Sequence, residues 1–151
     1  MIKFYRTDHK VLSEITEYED NMWVCMTKPT VDETKLIAED FEIDLADVRA
    51  ALDDEESSRV EVEDGYTLIL VDIPSIEMRN EREAYTTIPL GIILVKDILI
   101  TVCAEDTPVL DAFIESKVKE FSTKKKLRFV YQILYRIAVL YQSDLRIIDK
   151  M

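Results

Sequence analysis

Glycine, proline, cysteine and histidine are all scarce in this sequence, and each shortage excludes a class of protein. Only 2 of the 151 residues are glycine and 4 are proline, which excludes flexible linkers, collagen-like repeats and glycine-rich phosphate loops. The two cysteines, Cys25 and Cys103, lie inside apolar runs. Such positions are typical of buried thiols in a reduced compartment rather than of a disulfide framework.

The shortage of histidine bears on catalysis. His9 is the single histidine and lies in a polar N-terminal segment, where an exposed side chain without a role is expected. A metal site with two histidine ligands is excluded, and a Ser-His-Asp or Cys-His arrangement would have to use that one residue. We therefore predict that the chain is not an enzyme.

Long apolar runs are absent as well. The longest stretch without a charged residue, residues 84–95, has twelve residues, whereas a membrane-spanning helix needs about twenty. The first residues turn polar at once and lead into no apolar segment of the kind a secretory signal requires. The sequence thus predicts a soluble, cytosolic piece of protein.

Acidic residues are abundant, and their distribution is uneven. The net charge is −12, with 48% hydrophobic and 33% charged residues, a globular composition that disfavours nucleic acid as a partner. Residues 1–120 carry 12 basic and 29 acidic residues, whereas residues 121–151 carry 7 basic and 2 acidic ones. One interpretation of this asymmetry is a solvated acidic body that ends in a basic helix. The other is that the acidic body binds cations while the basic end faces an anionic surface.

The pattern of apolar residues and turn signals predicts an α/β (α+β) fold. We expect a single domain with a mostly antiparallel central sheet flanked by helices and the start of a long C-terminal helix. The predicted strands are residues 22–26, 59–63, 66–73, 86–95 and 98–102, with Pro74 ending the third and a charged loop over residues 77–83. The predicted helix starts are Thr30 with a capping box to Glu33, Asp44, Thr107-Pro108 and Leu127.

Carboxylates offer the only candidate chemistry. The run Asp53-Asp54-Glu55-Glu56, with Asp47 shortly before it, is the densest source of oxygen ligands, and Mg²⁺ prefers such ligands while keeping several waters. The run lacks the glycine and the alternating spacing of an EF-hand loop, so tight Ca²⁺ binding is not indicated. The alternative interpretation is a solvated acidic loop without a ligand.

The order of these motifs resembles the N-terminal cytosolic domain of the CorA family of magnesium transporters. The resemblance covers roughly Trp23 to the end of the chain. The matching segments are Trp23-Val24, Pro29-Thr30 with Asp32-Glu33, Phe41-Glu42-Ile43, Arg59-Val60-Glu61 with Gly65-Tyr66, the two apolar strand segments 89–94 and 98–102, and the helix over 127–151.

This resemblance implies a function for the chain. It implies residues 1–126 as a cytosolic α/β funnel domain and residues 127–151 as the start of the stalk helix, leading to a membrane region outside this sequence. The intact protein would be a homopentamer at the cytoplasmic face of the cell membrane, transporting magnesium or cobalt. Mg²⁺ bridging acidic surfaces of neighbouring subunits would hold the pore closed.

The sequence departs from the family at the position of the sensing carboxylate. The family often has Leu-Glu-Asp in its second helix, and the matching residues here read Val48-Arg49-Ala50. By proximity, the role of a weak, regulatory Mg²⁺ ligand passes to Asp47, Asp53 and Asp54. The alternative function is a stand-alone acidic protein-interaction module without a role in ion transport. A reading frame that continues beyond Met151 into two apolar spans would favour the transporter, and a stop codon the module.

Overall fold

A seven-stranded sheet forms the centre of the molecule in the computed structural model, which describes residues 1–53 and 55–149. Its strands are β1 (Ile2–Asp8), β2 (Val11–Ile15), β3 (Trp23–Thr27), β4 (Arg59–Glu63), β5 (Tyr66–Arg79), β6 (Arg82–Val95) and β7 (Ile98–Cys103). The helices are α1 (Val31–Asp40), α2 (Leu45–Val48), α3 (Pro108–Ile114) and α4 (Lys126–Asp149), and a 3-10 helix (Ala50–Leu52) follows α2.

The strand order is β2-β1-β3-β7-β6-β5-β4. Every neighbouring pair is antiparallel except β3 and β7, which run parallel. The predicted fold class, a mostly antiparallel sheet flanked by helices, is therefore confirmed. The β6–β7 hairpin lies in the middle of the sheet with Ile92 and Ile93 fully buried, as its continuous apolar sequence indicates.

Helices cover both faces of the sheet and create two hydrophobic clusters. Successive strand residues point to opposite faces, so Val24 of β3 packs towards α1 and α2, whereas Trp23 packs towards α3 and α4. The final helix α4 begins at Lys126, and its Phe129 and Ile133 are fully buried in the second cluster. Lys150 and Met151, at the predicted end of this helix, lie outside the described residues.

The predicted helix starts are confirmed in their local geometry. Thr30 accepts a hydrogen bond from the Glu33 amide (3.1 Å), and the Glu33 carboxylate accepts one from the Thr30 amide (2.8 Å). The Asp44 side chain likewise caps α2 through the Ala46 amide. These caps satisfy amides that the first helical turn leaves unpaired.

The N-terminal hairpin of β1 and β2 is absent from the sequence-based prediction. Its turn, His9-Lys10, has φ values of 49° and 66°, a conformation that usually selects asparagine or glycine, so the sequence carries no turn signal there. Strand β1 lies between β2 and β3, and side chains on both of its faces are partly covered. A clean alternation of apolar and polar residues is therefore lacking.

The predictions that Pro74 ends a strand and that residues 77–83 form a loop are wrong. Strand β5 continues to Arg79, turns at Asn80-Glu81 and returns as β6 from Arg82. Strand β4 pairs with β5 only as far as Leu70, so Pro74 lies where β5 has become an edge strand. A proline is tolerated there because no neighbour on that side requires its missing N–H.

Trp23 connects the sheet to the helices of the second cluster. Its side chain is fully buried, its indole N–H donates to the Thr101 hydroxyl (2.9 Å), and its ring centroid lies 5.0 Å from that of Phe129. The indole therefore packs on α4 while its polar atom is satisfied by β7, as a buried tryptophan requires.

Replacing this indole should therefore destabilise the whole domain. We expect Trp23→Ala to lower the free energy of unfolding by about 3–5 kcal/mol, measured by denaturant titration. Tyr135, which is 61% exposed on α4, provides the matched control, since Tyr135→Ala should cost less than about 1 kcal/mol. A loss below about 1 kcal/mol for Trp23→Ala would contradict its place in the core.

Thr7 and Thr123 join the first strand to the loop before α4. The Thr7 amide donates to the Thr123 hydroxyl (2.9 Å), and the Thr123 amide donates to the Thr7 hydroxyl (3.1 Å). Both residues are buried, and 116 residues of sequence separate them. Because neither amide has water as an alternative partner, each hydroxyl is needed as an acceptor.

We expect Thr123→Val to destabilise the fold by about 1–3 kcal/mol, because it leaves the buried Thr7 amide without an acceptor. Thermal or denaturant unfolding measures the loss. Thr87 is an exposed strand threonine, and Thr87→Val should be close to neutral. Equal effects of the two substitutions would show that the hydroxyl of Thr123 has no structural role.

Candidate functional site

Three carboxylates converge where α2 meets the edge strand β4. One oxygen each from Asp47, Glu61 and Glu63 can be chosen so that all three lie within 4.8 Å of one another. Asp47 and Glu61 are half-buried and Glu63 is exposed. We call these three residues the acidic triad.

The fold brings the triad together through one cap and one strand register. Asp44 caps α2 and orients that short helix, which carries Asp47. Glu61 and Glu63 are two apart on β4, so both point to the face of the sheet that α2 covers. In the register of β4 with β5, Glu63 lies opposite Tyr66.

Tyr66 holds the helix and the strand at this separation. Its hydroxyl donates to Asp47 Oδ2 (2.5 Å) and accepts from the Asp44 amide (3.3 Å). Burial, and then the hydrogen bond to Asp47, raise the pKa of Tyr66 to about 12. The phenol is therefore protonated at neutral pH and remains a donor to Asp47.

Arg59 is the cation nearest to the triad. Its Nε donates to Glu61 Oε1 (2.5 Å), and its Nη1 donates to Glu56 Oε2 (2.7 Å). These contacts compensate part of the charge on Glu61, whereas Asp47 and Glu63 have no cationic partner among the described residues. The triad thus keeps net negative charge beside the edge of the sheet.

The Mg²⁺ ligands predicted from the sequence do not all lie at the triad. Asp47 belongs to the triad. Asp53 is exposed, and its Oδ1 accepts from the Glu55 amide (3.0 Å) in a local turn; it is not a member of the triad. Asp54 lies outside the described residues. Ala50, where the resemblance leads one to expect a sensing carboxylate, is buried in the first hydrophobic cluster.

Sequence reasoning missed Glu61 and Glu63 as possible ligands. The alternation Val60-Glu61-Val62-Glu63 indicates that both carboxylates share one face of the strand. It contains no information about which helix covers that face. The density of acidic residues instead favours the run that starts at Asp53, because a sequence shows which residues are neighbours along the chain and not which are neighbours in space.

The donor set fits a hard divalent cation that is held weakly. Carboxylate oxygens are the ligands that Mg²⁺ and Ca²⁺ prefer, and Mg²⁺ keeps several waters when only a few protein oxygens are available. One oxygen of Asp47 is already bound to Tyr66, and Glu61 shares its charge with Arg59. Part of the ligand capacity is therefore used within the protein.

The two thiols are the other reactive groups in the fold. Cys25 and Cys103 are free and buried, as the sequence predicts. Burial raises the pKa of both thiols, that of Cys103 to about 11. At neutral pH both are protonated, and a protonated buried thiol is neither a nucleophile nor a ready metal ligand.

The overall architecture is similar to that of several solved transporter domains. The soluble domain of CorA from Methanocaldococcus jannaschii superposes with a TM-score of 0.78 at 22% identity, over 99% of this chain and 60% of that one. The complete CorA magnesium transporter from the same organism gives 0.76 at 19% identity, over 99% of this chain and 48% of that one. At such identities the likeness concerns the fold.

A third similar structure is the ZntB cytoplasmic domain from Vibrio parahaemolyticus, with a TM-score of 0.75, 14% identity, and coverage of 98% of this chain and 62% of that domain. The chain thus spans between about half and three-fifths of the length of these structures. No curated protein matches it in sequence. Among the described residues, no helix has both the length and the apolarity needed to cross a bilayer.

The solved structures show only a similar fold. The family is shown by a comparison with family models. The model described as CorA-like Mg²⁺ transporter protein matches residues 18–148, which is most of the chain. The match agrees with the resemblance read from Trp23-Val24 onwards. The chain therefore belongs to the family of CorA-like Mg²⁺ transporter proteins.

Proposed function

We propose that this chain is the cation-sensing cytosolic domain of a CorA-like transporter of Mg²⁺, at the cytoplasmic face of the cell membrane. The observation that carries the proposal is the family match over residues 18–148. The acidic triad supports the sensing role, because its carboxylates converge at the edge of the sheet instead of being dispersed in solvent. Transport itself would belong to a membrane region outside this chain.

Sensing would work through repulsion between acidic surfaces. Residues 1–120 carry 12 basic and 29 acidic residues, so neighbouring copies in a homopentamer would repel one another when their acidic edges face. A divalent ion between these edges neutralises them and favours the assembled arrangement, so its concentration shifts a two-state interface. Closure at high internal Mg²⁺ is the expected response.

The acidic triad is the proposed contribution of this chain to such a bridge. Asp47, Glu61 and Glu63 would supply one subunit's share of oxygen ligands, and the neighbouring subunit would supply the rest. Asp53 and Asp54 would act only through their charge. A site divided between subunits is incomplete in one chain, so we expect weak binding by the isolated domain.

The first test is Mg²⁺ titration of the isolated chain followed by NMR. We expect saturation only in the millimolar range or above, with amide shifts concentrated at residues 44–47 and 61–66. Glu61→Gln with Glu63→Gln should abolish these shifts, whereas Glu17→Gln with Glu39→Gln, which removes the same charge from exposed positions elsewhere, should leave them. Asp53→Asn with Asp54→Asn should have little effect.

A micromolar site in the isolated chain would mean that one domain holds a complete metal cage. The divided-site mechanism would then have to be abandoned. If the charge-matched control loses the Mg²⁺-dependent amide shifts to the same extent as the triad variant, the shifts arise from general electrostatic screening and not from binding at the triad.

A second test uses a substitution that should strengthen Mg²⁺ binding instead of weakening it. Arg59→Gln removes the cation that occupies Glu61, so Mg²⁺ binding should become tighter, by a few-fold, because the triad gains ligand capacity and negative charge. The dissociation constant from the same NMR titration measures this. Weaker binding by Arg59→Gln would show that the cation does not bind at the triad.

The regulatory role requires the intact transporter reconstituted in vesicles. With Glu61→Gln and Glu63→Gln in place, influx should continue at internal Mg²⁺ concentrations that close the unmodified protein. The Glu17→Gln, Glu39→Gln protein is the control. Unchanged closure in the triad variant, together with intact assembly, would overturn the sensing role.

A further inference from the structure

A basic cavity of about 640 Å³ opens on the opposite side of the sheet from the acidic triad. It lies between the β1–β2 turn, the segment that joins α3 to α4, and the first turn of α4. Its volume is in the range of pockets that hold small molecules. The basic residues that line it are His9, Lys10, Lys124, Lys125 and Arg128.

Three of the five basic residues of this cavity have no ion-pair partner among the described residues, whereas His9 lies 3.8 Å from Asp8. Glu120 is the single acidic residue among those lining it. Lys124 lies 3.9 Å from Asp8, but Lys10, Lys125 and Arg128 form no ion pair with any described residue. In a chain with 31 acidic residues and a net charge of −12, such a cluster is unusual, and its positive potential favours the approach of an anion.

The orientation of α4 strengthens the positive potential in the cavity. The first turn of α4 has no acidic residue, although α1 has Asp32 and Glu33 in the same place. The positive end of the helix dipole therefore adds to the charges of Lys125 and Arg128 instead of being compensated. A bound anion would relieve this repulsion.

One wall of the cavity is apolar. Leu12, Val118 and Phe121 line it, and each is only partly buried. The Phe121 ring is held from behind, with its centroid 4.6 Å from that of Phe129 and 6.2 Å from that of Trp23. The hydrogen bonds between Thr7 and Thr123 fix the loop beside it. This wall is therefore anchored in the core.

We propose that the cavity binds a nucleoside polyphosphate. Lys10, Lys125 and Arg128 would hold the phosphates through charge-assisted hydrogen bonds, and the apolar wall would take the nucleoside. A bare phosphate would leave that wall in water, and a long nucleic acid would meet the acidic remainder of the chain. The site shares no residue with the acidic triad, so either proposal can fail while the other stands.

The test is calorimetric titration of the complete chain at low ionic strength with ATP, inorganic tripolyphosphate and adenosine, each without Mg²⁺. We expect saturable binding of ATP, weaker binding of tripolyphosphate and the weakest binding of adenosine. Lys125→Gln with Arg128→Gln should weaken ATP binding by about tenfold or more, because two charge-assisted contacts are lost. The fold should persist, since the substitutions remove cations from a helix N-terminus.

Two further variants make the result specific. Lys35→Gln with Arg82→Gln removes the same charge from exposed positions away from the cavity and should leave ATP binding unchanged. Val118→Ser should weaken the binding of ATP but not that of tripolyphosphate, because it alters only the apolar wall.

Several outcomes would overturn the proposal. These are the absence of saturable ATP binding at millimolar concentrations, equal losses in the cavity variant and the charge-matched control, and tripolyphosphate binding as tight as that of ATP. If instead the cavity variant changes the oligomeric state in sedimentation and ATP does not bind, the cations meet an acidic surface of a second copy.

Discussion

The parallel pairing of β3 with β7 is the constraint on which the rest of the molecule depends. It joins the N-terminal strands to the C-terminal β4–β7 meander in one sheet. At this seam, the boundary between β3 and β7, Trp23 lies opposite Leu99 and its indole N–H donates to the Thr101 hydroxyl. Both faces of the seam are covered by helices, so its apolar residues are shielded from water on each side. The two clusters therefore pack on opposite faces of the same pair of strands.

This arrangement separates the charges of the chain onto different sides. The first face carries α2, whose Asp47 meets the carboxylates of β4. The second face carries α4, and Lys125, just before this helix, and Arg128, in its first turn, line the cavity beside the β1–β2 turn. The uneven distribution of charge along the sequence thus becomes an uneven distribution in space. Cations and anions are expected to approach the molecule from different directions.

Ala50 and Asp47 lie close in sequence but in different environments. Ala50 is 4% exposed within the first cluster, where an unpaired carboxylate would carry a large desolvation penalty. Asp47, three residues earlier, is half-buried and has Tyr66 as a donor. Three residues along α2 and its 3-10 continuation therefore separate a core position from a position beside the edge of the sheet.

The sequence by itself determined the fold class, the helix starts and the central hairpin. Capping at Thr30 and Asp44, and the apolar run that contains Ile92 and Ile93, depend on interactions between residues near in sequence or on burial of both strand faces. Local patterns report these directly. The membership of the family is likewise carried by the order of such local segments.

Tertiary structure alone decided the β1–β2 hairpin, the strand beyond Pro74 and the composition of both candidate sites. His9-Lys10 forms a tight turn without the usual turn residues, and Pro74 is accepted because β4 has already ended. The acidic triad joins residues from α2 and β4, and the basic cavity joins residues more than a hundred positions apart. Contacts at such separations depend on strand order and helix placement, which periodicity and composition do not encode.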